Sequence, residues 1–142
     1  MIGLRGVYII MSMGWSMISV LWVALGGALG SVARYGISLL MGQWAAGHSW
    51  IGTLLVNILG CFLIALLMVV AQERYSESPF FTPLLMVGFC GGFTTFSTFT
   101  LDIYKLYTSG AVALAALYLF LSLALSALAL LAGLYVGGRM IR

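Results

Sequence analysis

The densest polar chemistry in this 142-residue chain falls in one run, Gly88-Phe89-Cys90-Gly91-Gly92-Phe93-Thr94-Thr95-Phe96-Ser97-Thr98-Phe99-Thr100. Irregular backbone inside a membrane is tolerated only beside protein or a water-filled cavity. Carbonyls freed there can coordinate a cation, while hydroxyls and half-helix N-termini can meet an anion. A Gly/Ser/Thr face for helix packing, with hydroxyls bonded back to their own helix, accounts for this run equally well. Phe93, Phe96 and Phe99 recur every third residue, so they drift around a helix by about 60° per step instead of forming one stripe. Some of them must face protein or a pathway. A ring has a positive edge and a negative face, so a ring presented edge-on attracts a partly dehydrated anion without the fixed charge that would trap it. Core filling or lipid contact is the commoner use of such rings.

Three further sets of polar residues lie in apolar surroundings. Asn57, within Gly52-Thr53-Leu54-Leu55-Val56-Asn57-Ile58-Leu59-Gly60, is the one carboxamide expected inside the hydrocarbon. It serves as an anion donor or as glue between helices, and a buried polar group in a membrane favours the functional reading. Tyr118, Ser122 and Ser126 stand at i, i+4 and i+8, which puts three hydroxyls on one helix face. Arg34 shares a face with Gly26 and Gly30; it snorkels to the headgroups, bonds a neighbouring segment, or lends positive charge to a vestibule. Asp102 and Lys105, at i and i+3, have mutual pairing as their simplest account. His48 has no metal partner near it in sequence. Cys61 and Cys90 fall in apolar stretches, where a free thiol acts as a small hydrophobe; no disulfide is expected. No nucleophile and base fall together in the apolar segments, which argues against an enzyme.

The elements that must position these groups follow from composition. Hydrophobic residues make up 63% of the chain and charged ones 6%, against about a quarter charged in a soluble domain. Crossing a bilayer takes about 20 apolar residues, and four such stretches are found near 16–40, 51–71, 83–107 and 111–136. The third is interrupted by Gly88, Gly91 and Gly92, so an unbroken helix is not expected there. Trp44 and Trp50 flank the first loop, where indoles favour the headgroup level. The loop from Gln72 to Pro79 is the most polar segment and holds both glutamates. Short turns predict antiparallel neighbours. We expect one all-α domain over 16–142, with residues 1–15 as an extension that the first span does not need. Met11, Met13 and Met17 leave a later start open, and the N-terminal apolar run lacks the small-residue cleavage site of a signal peptide.

The net charge of +3 is scattered near span ends, not gathered into a basic stripe, which argues against nucleic acid. Arg5, Arg74, Arg139 and Arg142 lie on one side and Arg34 and Lys105 on the other. So small a bias lets the chain insert either way, and a chain inserted both ways can make an antiparallel dimer. Four helices only fill a bundle core, so a chain this short needs a second copy to enclose an aqueous path.

Three segments together resemble the Fluc (CrcB) fluoride channels: Gly26-Gly27-Ala28-Leu29-Gly30-Ser31-Val32-Ala33-Arg34-Tyr35, then Gly52 to Asn57 with Gly60-Cys61-Phe62, then Gly88 to Phe99. The match runs in order over nearly all of Leu25 to Ser126, and the third segment is highly specific. The resemblance implies a dual-topology homodimer with the third helix broken at mid-membrane. Two antiparallel pores would pass fluoride passively out across the cell membrane, and a structural sodium ion would sit at the dimer centre. It makes Asn57 a donor at the pore mouth, with Phe96 and Phe99 lining the path by their edges. Ser97 and Thr98 would add hydroxyls, and Tyr118, Ser122 and Ser126 would be the track on the fourth span. Arg34 would be the vestibule cation, and the Gly91 and Thr94 carbonyls would hold sodium. A small multidrug transporter is the nearest rival, but it calls for an acid in the first span, and none is there. A purely structural subunit would not need Asn57 and the hydroxyls together.

Overall fold

The computed structural model describes residues 17–44 and 48–141. The expected extension over 1–15, Arg5, the loop residues 45–47 and Arg142 lie outside them. The described residues form α1 (Met17–Trp44), α2 (Trp50–Arg74), α3 (Thr82–Cys90, wound as a π-helix), α4 (Gly91–Phe93), α5 (Phe96–Thr108) and α6 (Val112–Met140). Among the described residues no strand is present. Four stretches are long and apolar enough to cross a membrane: α1, α2, Thr82–Thr108 and α6. Four such stretches with few charges are what a multi-pass membrane chain requires. Each stretch reaches or passes the expected span's end by up to about a turn, because a helix keeps its backbone bonds beyond the hydrocarbon.

Thr94 and Thr95 leave the helical region at the middle of the third stretch, with φ/ψ of −83°/160° and −152°/123°. Thr95 then starts α5, its hydroxyl oxygen accepting from the Thr98 N–H at 3.1 Å, which is an ordinary N-cap.

Sequence-adjacent helices run in opposite directions, as the short turns predict: Gly52 at the start of α2 faces Ser38 and Met41 near the end of α1. The most extensive packing, however, joins helices that run parallel, α1 with α3 and α2 with α6. Glycine decides this pairing. A Cβ on Gly26 would strike the Leu84 carbonyl, and one on Gly30 the Phe89 carbonyl. Seen from α3, a Cβ on Gly88 would lie 2.8 Å from the Val23 carbonyl oxygen. Backbone therefore rests on backbone, the small-residue contact that drives helix association in lipid. The α2–α6 seam repeats the device, with Gly133 against the Phe62 carbonyl and Gly137 against Val69.

At the end of the fold that carries the polar loop, Tyr75 stacks on Phe81 at 4.6 Å, and Phe81 packs with Ala71 and Met86 in a small core. The outer faces stay apolar: Leu21, Leu25, Leu29 and Val32 of α1 and Phe120, Leu123, Leu128 and Leu131 of α6 are exposed. That is the pattern of a chain whose solvent is hydrocarbon.

Candidate functional site

Asn57 of α2 and the extended residues between α4 and α5 build one unit. The Asn57 carboxamide donates from Nδ2 to the Thr95 carbonyl at 3.1 Å and accepts the Thr95 N–H on Oδ1 at 2.8 Å. Backbone that has left the helix needs new partners in a membrane, and one side chain supplies both. A carboxamide has two N–H donors, so one remains for another acceptor. The Thr95 hydroxyl also contacts those of Ser97 at 3.2 Å and Thr98 at 3.1 Å.

Beside this unit lies a cavity of about 480 Å³. Asn57, Gly60, Cys61, Gly91, Thr94, Thr95, Phe96, Phe99, Ser122 and Ser126 are among its lining residues, and none of the lining side chains is charged. Phe99 is buried, while Phe96 is 75% exposed at the rim; their rings meet at 5.7 Å and 46°. Phe93, the first of the three phenylalanines, is buried and lies before the interruption, on a different helix from the other two. Cys61 and Cys90 are both free thiols.

Tyr118 is 1% exposed. It is wedged between Phe99 at 5.3 Å and Trp50 at 5.4 Å. Thr53 and Ser122 are its polar neighbours, yet the Tyr118 hydroxyl and Ser122 Oγ have no hydrogen-bond partner among the described residues. A buried unpaired hydroxyl is costly; Ser122 lines the cavity, whereas Tyr118 does not. Ser126 continues that face, half-buried. Ser97 is exposed and Thr98 half-buried.

Arg34 takes the bonding role among its three readings: its Nε donates to the Gly92 carbonyl at 3.0 Å. Gly26, Gly30 and Arg34 thus form one continuous contact face toward α3 and α4. The Gly91 and Thr94 carbonyls have no recorded donor among the described residues, and a Cβ on Gly91 would meet nothing within 4 Å. No three His, Cys, Asp or Glu side chains converge among the described residues, so a cation bound here would be held by such oxygens.

Asp102 and Lys105 pair as expected, at 3.9 Å with the lysine largely exposed, but the shorter bond to Asp102 comes from Thr53 Oγ1 at 2.7 Å. The partner lies 49 residues away, and only the local i, i+3 spacing was visible in the sequence. Thr53 is the polar residue sequence reasoning missed; its place four residues before Asn57, on the same face of an apolar helix, is the signal that could have found it. Trp50 is more than a headgroup anchor, because its indole packs on Tyr118.

Comparison with known proteins agrees with this architecture. The family model described as CrcB-like protein, Camphor Resistance (CrcB), matches residues 21–134. A protein of Paracoccus denitrificans named fluoride-specific ion channel FluC is 47% identical over 117 residues, 82% of this chain and 92% of its own. Proteins of the same name from Agrobacterium fabrum and Nitrobacter winogradskyi are 46% and 44% identical, covering 85% and 87% of this chain and 97% of each relative. These relatives are ion channels and not enzymes. A family match across the whole packed helical unit, with identities of this size over nearly full lengths, shows that the chain belongs to the CrcB-like family.

Proposed function

We propose that this chain is a fluoride-selective channel that lets fluoride leave the cell passively across the cell membrane. It works as an antiparallel, dual-topology homodimer with two pores, in which residues 16–142 form the channel domain and residues 1–15 an extension. The interruption at Thr94 and Thr95 is a break of the third helix at mid-membrane. The observation that carries the reading is the uncharged cavity beside it, lined by the unpaired Ser122 hydroxyl, by Asn57 with its spare amide N–H and by two phenylalanine rings. Fluoride is small and holds its water strongly, so a pore must replace that water with many weak donors; sites that bind too firmly would stop conduction. Asn57 offers its second N–H, and Phe96 and Phe99 offer ring edges. Ser97, Thr98, Tyr118, Ser122 and Ser126 supply hydroxyls that turn with the ion. Arg34 adds positive potential to the vestibule through the guanidinium nitrogens not bonded to Gly92. The names of the relatives support fluoride as the ion.

The family also implies a structural sodium ion, and the free Gly91 and Thr94 carbonyls fit it. Hard cations favour oxygen ligands, and the C-terminal end of a helix carries partial negative charge. Sodium would join two copies at the dimer centre.

Purified protein in liposomes should release fluoride quickly under a clamped potential and chloride far more slowly, as read by ion-selective electrodes. Equal fluxes would overturn the selectivity. Phe96→Ile should slow or abolish fluoride flux while the dimer stays assembled; unchanged flux would remove that ring from the path.

A further inference from the structure

In a regular helix the Gly91 carbonyl would accept from the Thr95 N–H, and the Thr94 carbonyl from the Thr98 N–H, four residues on. Both donors are taken elsewhere. The Thr95 N–H bonds Asn57 Oδ1 at 2.8 Å, and the Thr98 N–H bonds Thr95 Oγ1 at 3.1 Å. The carbonyls between and beside them behave differently. Gly92 O is claimed by Arg34, and Cys90 O by both the N–H and the hydroxyl of Thr94. Phe93 carries no recorded donor to its carbonyl either, but it is buried. Gly91 is exposed and Thr94 half-buried, so theirs are the accessible carbonyls that two side chains have separated from their helical donors.

We infer that Asn57 and Thr95 are positioning residues for cation binding: by capturing the Thr95 and Thr98 N–H groups they keep the Gly91 and Thr94 carbonyls free to act as ligands. This rests on the reading of a structural sodium ion between two copies. Asn57 then has two tasks at the interruption. Its Oδ1 holds the backbone open, and its side chain lines the cavity that Gly91 and Thr94 also border. Removing either acceptor returns an N–H to compete for a ligand carbonyl, and in a two-fold dimer the loss is felt twice.

The test measures sodium binding without flux. The full-length dimer in detergent is heated across a series of sodium concentrations, with N-methylglucamine keeping ionic strength constant, and the concentration giving half-maximal stabilisation is read. Asn57→Leu and Thr95→Val should each raise it about tenfold, since each restores a competing backbone bond in both copies. Thr95→Ser, which retains the hydroxyl acceptor, should stay close to the unsubstituted protein. If Asn57→Leu does not assemble, the Thr95 pair decides. Unsubstituted midpoints in both Asn57→Leu and Thr95→Val would overturn the inference and leave the cation reading standing. A shift in Thr95→Ser as large as in Thr95→Val would overturn the acceptor mechanism. Absence of any sodium-specific stabilisation in the unsubstituted protein would remove the cation itself, and the inference with it.

Discussion

The bond from Thr53 to Asp102 fixes α2 to α5, and its strength can be worked out. Asp102 is 3% exposed and accepts from Thr53 Oγ1 at 2.7 Å. Neutral bonds between helices in membranes contribute about 0.6 kcal/mol on average and up to about 1.7, whereas hydrogen bonds to charged groups contribute about 1.5–3 kcal/mol. The short distance belongs with the second kind. Lys105, the other partner, is 3.9 Å away with its side chain 59% exposed, so solvent screens it and it contributes little. Thr53→Val keeps the side-chain shape and removes the donor; Asp102→Ala removes the acceptor. A double-mutant cycle cancels the cavity that alanine leaves and isolates the pair. Reversible unfolding in mixed micelles, followed for the four proteins, should give a coupling of about 1.5–3 kcal/mol, or about 10- to 150-fold in the unfolding equilibrium. A coupling below about 0.5 kcal/mol, the level of ordinary non-additivity, would refute the claim that this bond joins the two helices.

Tyr118→Phe keeps the ring between Trp50 and Phe99 and deletes a hydroxyl that has no partner among the described residues. It should raise stability by about 1–3 kcal/mol while slowing fluoride flux in liposomes; a loss of stability would show that the hydroxyl is already satisfied. Gly60→Ala should destabilise, because its Cβ would strike the Thr94 methyl while the next atoms stand at 3.5 and 3.6 Å. Adding Thr94→Ser removes that methyl and keeps the backbone carbonyl, so thermal unfolding of the double variant should return most of the way. A double variant no better than Gly60→Ala would mean that the clash lies elsewhere.

The spans were legible because hydropathy and length act residue by residue along the chain. The short turns also gave the direction of each span. Which helices pack most closely is not legible, since Gly26, Gly30, Gly88, Gly92, Gly133 and Gly137 all look alike until another helix is placed against them. The shared face of Gly26, Gly30 and Arg34 was visible from spacing alone, and Arg34 bonds along it. At Asp102 the i, i+3 spacing points rightly to Lys105, but the shorter partner, Thr53, is near only in space. Asn57 was singled out as the one carboxamide in apolar surroundings. That both ends of its side chain would meet the main chain of Thr95 depends on dihedral angles at Thr94 and Thr95 that two threonines in a row do not announce.

The parallel pairing of α2 with α6 has a consequence for how the protein is made. The ribosome delivers α2 before the stretch from Thr82 to Thr108 and α6 after it, so α2 and α6 cannot meet until the whole stretch between them has been made. Its glycine-tolerant groove at Phe62, Ala65 and Val69 closes only when Gly133 and Gly137 leave the exit tunnel. Closing this seam therefore waits on α6 and requires the two helices to meet within the bilayer after each has been made.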